Sequence, residues 1–323
     1  MFRVKTSICA AALAAVSFGA QAAAPGSIEL PGDRAFPESI TASRDGTLYV
    51  SNLEGGGILR IRPQGKPEAW LAPGAAGTRS TLGVLVDESR QLLWVCSNDM
   101  TIIGIASPGT QKGSFLKGFD LASGKEKVSA SFPAPTPPAG GSVCNDIAID
   151  GSGAVYVTDT LAPQILKLSA DQKTLGVWKT DPLFAPKNGG GLDGLVFDAS
   201  GNLIVNKIGS GELLRVDVKN GAPGTVTELK TSRPLDQPDA LRLGADGSLL
   251  LVEGGGSLDK LVISGDTAKV ETIKDGFTVP TGVVQVGKGY WISEGQNGYL
   301  LDPALKGQAP KLPFRLHYVP AAK

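Results

Sequence analysis

The sequence has 323 residues, of which 41% are hydrophobic, so it can bury the core of one large domain or two ordinary ones and is too apolar for a disordered chain. Its 43 glycines and 22 prolines follow no Gly-X-Y period, which excludes a collagen-like chain and reads as the turn punctuation of an all-β protein. Lys plus Arg and Asp plus Glu both number 31, and this balance argues against nucleic acid as a partner.

The chain opens on Arg3 and Lys5, an apolar run from Ile8 to Phe18, and small residues at Ala20 and Ala22. This is the pattern of a secretory signal peptide over residues 1–22, and it predicts a periplasmic or extracellular mature protein. The run falls short of the roughly 20 apolar residues a bilayer span needs, and no later stretch qualifies. Cys96 and Cys144 are the thiols that remain after cleavage. Each stands in an apolar strand context, and the sequence fits both a disulfide and two buried free thiols.

From residue 23 onward one pattern recurs, in segments 38–52, 82–98, 145–159, 193–207, 239–253 and 281–294. The first residues of these copies, here called anchors, are Glu38, Leu82, Asn145, Asp193, Asp239 and Thr281. Two positions on, every copy has an aliphatic residue (Ile40, Val84, Ile147, Leu195, Leu241, Val283), and eight positions on, five have glycine. A β-forming run such as Leu48-Tyr49-Val50 follows, so each copy reads as a hairpin. Further strand-like segments follow most hairpins: 58–62 with 69–71, 164–168 with 175–178, 212–216 with 225–229, and 259–263 with 269–273. Four antiparallel strands per unit, with anchors 42 to 63 residues apart, predict a single domain over 23–323: a six-bladed β-propeller of four-stranded antiparallel blades. Segments 27–30 and 314–319 both resemble outer strands, and either terminus could close the last blade. The longest spacing, in the second unit, carries the loops 107–113 and 133–141.

In a propeller the first strand of each blade lines the central channel, so anchors that open those strands form a ring at one mouth. Three are carboxylates, one is an amide and one a hydroxyl. Hard oxygen donors converging in this way suit Ca²⁺, and like charges so placed repel unless a cation sits among them. Asp and Asn also start strands for local turn hydrogen bonds, which is the competing account of any single anchor. Asp146 stands beside Asn145 in a column of otherwise small residues (Ser39, Gly83, Gly194, Ala240, Gly282) and is expected to support the ring from behind, as is Thr281.

The pattern resembles the regucalcin/gluconolactonase family of six-bladed propellers, within the calcium-dependent phosphotriesterase superfamily. The resemblance rests on Pro37-Glu38, Asn145-Asp146 with Asp150, Leu192-Asp193-Gly194 and Pro238-Asp239. It implies one divalent metal, Ca²⁺ first with Zn²⁺, Mn²⁺ or Mg²⁺ as alternatives, held by Glu38, Asn145, Asp193 and Asp239. Asp239 doubles as general base. It further implies hydrolysis of a lactone or related ester, a small-molecule substrate, by a monomer. The chain departs from the family at Asp193, where asparagine is usual, and at Val143-Cys144, where sugar-lactone members place an arginine. Relatives of the paraoxonase kind use channel histidines, whereas the one histidine here, His317, lies near the C-terminus and is expected to pack or face solvent. Substrate choice is expected in loops 73–81, 133–143, 181–192 and 231–238, with Lys187 and Asn188 as possible polar contacts. The second reading is a propeller that binds a small ligand or a protein without catalysis, its metal only structural.

Overall fold

Each repeat folds as the expected hairpin, and the Asp/Gly turn explains why. Gly46, Gly153, Gly201 and Gly247 take φ between +81 and +86°, a left-handed conformation that a side chain disfavours. In the second and sixth copies the turn shifts by a residue or two, and Gln91 (φ 54°) and Gly287 (φ 57°) take that role. The structure, a computed structural model, describes residues 26–133, 141–305 and 307–321. The expected signal peptide lies outside the described residues. No helix among the described residues is long and apolar enough to cross a membrane.

The strands fall into successive four-stranded antiparallel groups. Group one runs Pro37–Ala42, Leu48–Asn52, Ile58–Ile61 and Glu68–Leu71. Group two runs Ser80–Asp87, Leu92–Asn98, Ser114–Asp120 and Glu126–Ser131. The last two of these were not foreseen, because they lie between the two long loops and match no other copy. Group three runs Cys144–Ile149, Val155–Asp159, Gln164–Leu168 and Leu175–Thr180. Group four runs Leu192–Phe197, Leu203–Lys207, Leu213–Lys219 and Ala222–Thr231. Group five runs Pro238–Leu243, Leu249–Glu253, Ser257–Ser264 and Thr267–Asp275. A short parallel pairing, Lys230↔Thr267 and Thr231↔Ala268, joins the outer edges of groups four and five into one eight-stranded sheet.

Both termini build group six. Pro280–Val286 and Gly289–Glu294 are followed by Arg315–Pro320, and Ser27–Glu29 then pairs outside it in the register Ser27↔His317 to Glu29↔Arg315. The inner strands of consecutive groups touch one another in cyclic order, and the inner strand of group six touches that of group one. Apolar side chains fill the spaces between groups, with Ile40, Val84, Ile147, Leu195, Leu241 and Val283 all essentially inaccessible. The aliphatic column two residues after each anchor is therefore core.

The structure resolves the cysteine alternatives in favour of pairing: Cys96 of group two and Cys144 of group three form a disulfide, with Cα atoms 5.2 Å apart. Asn98 reinforces the junction, accepting from Cys144 N and donating to Cys144 O, both at 2.9 Å. The bond closes a loop of 48 residues immediately before Asn145. By the loop-entropy argument its reduction should cost about 2–4 kcal/mol. For a chain of this length that is a fall in melting temperature of roughly 3–6 °C. Calorimetry of the wild type and of a Cys96→Ser/Cys144→Ala variant checks this, and an unchanged melting temperature would contradict it.

Candidate functional site

Every inner strand is irregular at the same place. The ladder between first and second strand skips one residue between Pro37 and Ile40, Thr81 and Val84, Cys144 and Ile147, Leu192 and Leu195, and Pro238 and Leu241. It also breaks between Pro280 and Gly282. Each anchor thus sits in a β-bulge, a device that bends the strand and re-aims a side chain. In groups one, five and six the chain enters this bulge through a left-handed residue and a proline: Phe36-Pro37, Gln237-Pro238 and Val279-Pro280. Positive φ at a β-branched residue such as Val279 is uncommon and marks a conformation held by its surroundings.

The bulge frees backbone groups, and polar side chains of the second strand take them. Ser51 Oγ accepts from Ser39 N at 2.9 Å. Thr158 Oγ1 accepts from Asp146 N and donates to Asp193 O of the next group at 2.7 Å. Asn206 accepts from Gly194 N and donates to Asp239 O of the group after that. The backbones of Asp193 and Asp239 are therefore pinned by their neighbours. Small residues follow the anchors because a Cβ at Gly83 would collide with the carbonyl of Asn145, and one at Gly194 with that of Asp239.

This scaffold brings Glu38, Asn145, Asp193 and Asp239 together, all buried. Asn145 Nδ2 donates to Asp193 Oδ2 at 3.0 Å, and the charge of Asp193 acts on Asp239. Glu38 Oε2 is buried with no hydrogen-bond partner among the described residues. Burial pushes Asp193 up to about 7, Asp146 adding to the rise while Asp239 and the hydrogen bond of Asn145 oppose it. Burial likewise raises Glu38 well above the usual carboxylate range, with Asp193 and Asp146 contributing, and does the same to Asp239 with Asp193 and Glu38. Among the described residues no group of three or more His, Cys, Asp and Glu side chains is spaced as around an ion.

Asp146 is held by a residue the sequence reading missed. Arg242 reaches from group five to group three, donating from Nη1 to Asp146 Oδ2 at 2.6 Å and from Nη2 to Oδ1 at 3.0 Å. Its Nη2 also lies 3.3 Å from Ser39 Oγ of group one. Arginine stands three residues after an anchor only here; the same column otherwise holds Thr41, Leu85, Ala148, Val196 and Val284. That anomaly was the available signal.

Other expected residues serve elsewhere. Thr281 Oγ1 donates to Pro37 O at 2.8 Å, tying group six to the residue before Glu38 in group one. Lys187 is exposed and paired with Glu212 at 2.7 Å, and Asn188 is an exposed left-handed turn residue. Neither touches the acidic cluster. His317 packs on Phe277 and lies 3.1 Å from Glu294, consistent with the structural role expected of it.

Residues 26–61 match the family model described as strictosidine synthase-like, N-terminal. No curated protein matches the sequence significantly. Solved structures share the fold across nearly the whole chain. Virginiamycin B lyase from Staphylococcus aureus has 15% identity and a TM-score of 0.59, over 92% of this chain and 98% of that one. A gluconolactonase from Xanthomonas campestris has 18% identity and a TM-score of 0.62, over 84% and 86%. A luciferin-regenerating enzyme has 14% identity and a TM-score of 0.64, over 91% and 94%. At these identities the likeness is one of fold.

Proposed function

We propose that this protein is an exported six-bladed β-propeller that hydrolyses lactones or related esters, with one divalent cation, Ca²⁺ first, on Glu38, Asn145, Asp193 and Asp239. The observation that carries this reading is the burial of three carboxyls and an amide from four different groups at one end of the ring, with Glu38 Oε2 unpartnered. Buried acids so close can ionise together only with a cation among them, and hard oxygen donors select an alkaline-earth ion. The donor set fits. The gluconolactonase likeness agrees with the reaction class, and the disulfide agrees with export to an oxidising compartment.

The cation would supply Lewis-acid polarisation of the substrate carbonyl. Asp239 would accept the proton of the attacking water as general base. Asn145 fixes the orientation of Asp193 through its amide hydrogen bond, and Thr158 and Asn206 hold the backbones of Asp193 and Asp239. Arg242 keeps Asp146 bound and offsets part of the acidic charge.

The test is metal content together with acid release from a lactone and ester panel, with and without chelator. Asp239→Ala should lower turnover by about 10²–10⁴-fold, the usual worth of a general base. Asp193→Asn should mainly weaken the metal. The second reading is a propeller that binds a small ligand or a protein without catalysis, and the spacing of the acids, which is not that around an ion, is what favours it. Bound metal with no turnover of any panel member would select it, and no metal dependence at all would remove the site assignment.

A further inference from the structure

Five hairpins carry an aspartate at their turn: Asp45, Asp87, Asp150, Asp198 and Asp246. In each, Oδ1 accepts backbone N–H groups of the turn, as Asp150 does from Ser152 and Ala154 and Asp198 does from Ser200 and Asn202. The second oxygen is also engaged in the other copies. Asp45 Oδ2 accepts from Thr47 Oγ1 at 3.1 Å, Asp87 Oδ2 from Arg90 Nη1 at 2.6 Å, Asp150 Oδ2 from the Tyr156 hydroxyl at 2.8 Å, and Asp246 Oδ2 from Lys260 Nζ at 2.6 Å. Asp198 Oδ2 has no partner among the described residues, and Ile204, in the place from which Tyr156 serves Asp150, cannot donate. The Ser200 hydroxyl likewise has none, although Ser89, Ser152 and Ser248 give theirs to Asp87, Asp150 and Asp246.

Asp198 and Ser200 both line a cleft of about 510 Å³ between groups four and five, at the end of the hairpins away from the anchors. Its walls are fixed from outside. Arg215 of group four donates from Nη1 to Gly265 O at 2.7 Å and from Nη2 to Asp266 Oδ1 at 2.8 Å, both on the outer turn of group five. The parallel pairing of Lys230 and Thr231 with Thr267 and Ala268 joins the same two groups. Arg215 is further held by Asp217 at 3.0 Å, and Lys260 by Asp246, so both cations of the cleft are already paired. With Asp198 there are four carboxylates around two cations, which leaves the cleft negative. One wall is apolar, with Ile263 half-buried and Val262 42% exposed.

We propose that this cleft binds a small organic ammonium ion, with its N–H groups on Asp198 Oδ2 and Ser200 Oγ and its aliphatic body on Val262 and Ile263. An ammonium has only donors, and the two free groups, a carboxylate oxygen and a hydroxyl oxygen, both accept. The cleft falls within the roughly 300–1,000 Å³ of small-ligand sites, which favours an ion with an organic body over a bare one. Walls already clamped by Arg215 need little ordering on binding. The site is separate from the acidic ring and does not rest on the hydrolase reading, because binding is measured without turnover.

Calorimetry and amide chemical-shift titration with butylammonium, methylammonium and butyrate, at low ionic strength and constant Ca²⁺, decide it. Butylammonium should bind the wild type saturably and move the backbone amides of Ser200, Asn202 and Gly265. Butyrate should bind more weakly, and methylammonium about fivefold more weakly or worse, since its body does not reach the apolar wall. Asp198→Asn keeps an oxygen for the turn and removes the charge, so it should weaken butylammonium about tenfold or more. Asp33→Asn, the same charge change on an exposed residue outside the cleft, should not. Should Asp198→Asn fail to fold, the shift map decides alone. No saturable butylammonium binding, butyrate or methylammonium bound as tightly, affinity undiminished in folded Asp198→Asn, an equal loss in Asp33→Asn, or shifts confined to the anchor end would overturn the proposal.

Discussion

Replacing Arg242 by methionine is expected to lower the unfolding free energy by about 3–5 kcal/mol, because it strands a buried carboxylate. With an unfolding entropy of roughly 0.6 kcal/mol/K for a chain of about 300 residues, that is a fall in melting temperature of about 5–8 °C. The guanidinium meets both oxygens of Asp146 and also donates to the carbonyl of Leu241 at 2.7 Å. Without it, Asp146 keeps one contact from the backbone, Leu195 N at 3.3 Å. The change also removes the one cation that lowers Glu38 against the pull of its acidic neighbours. Removing both partners should behave differently: Asp146→Leu/Arg242→Met should recover most of the loss, since a buried ion pair contributes little net stability over apolar packing. Denaturant unfolding of the four members of this cycle gives the coupling directly. A single Arg242→Met variant within 1 kcal/mol of wild type would mean that the bidentate contact does not organise the ring.

The repeat was legible because its signals are local. Turn glycines, aliphatic columns and the anchor positions all lie within one hairpin, and the hairpins formed where the pattern placed them. What escaped depends on partners distant in sequence. The Arg242–Asp146 pair spans 96 residues, and in sequence it shows only as a charge in an apolar column. Cys96 and Cys144 are 48 residues apart, and their pairing follows from the abutment of groups two and three, which composition cannot reveal. The closure of group six joins Ser27 to His317, and strand propensity at each terminus could not say that both would be used. The bulge at each anchor was also invisible, although the column of polar second-strand residues, Ser51, Thr158 and Asn206, is its trace. Thr281 shows the same limit: its anchor position was legible, but not its bond to Pro37 of group one, 244 residues away.

In chelator the protein is expected to lose stability as pH rises from about 5 to about 8, and Ca²⁺ should remove most of that loss. Asp193 titrates near 3.8 when unfolded and at about 7 when folded, so between these values the folded state binds more protons than the unfolded one. Stability must then fall as pH rises. A shift of that size carried by Asp193 alone corresponds to roughly 4 kcal/mol over the whole interval between its two values, of which roughly 3 kcal/mol falls between pH 5 and pH 8. Glu38 and Asp239 are displaced in the same direction and add to it. Glu212, held at about 2 by Lys187 and Ser210 against the upward pull of burial, titrates below the window and does not offset the trend. A cation replaces the protons that these acids otherwise retain, and its affinity rises as they ionise. The gain in melting temperature from Ca²⁺ should therefore be small at pH 5 and grow towards pH 8. Asp193→Asn removes one titrating group and should flatten the chelator curve. Thermal scans at four pH values, with chelator and with Ca²⁺, test all three points. A flat curve in chelator would mean the acids carry no excess protons. A Ca²⁺ gain independent of pH would place the ion away from Asp193 and Asp239.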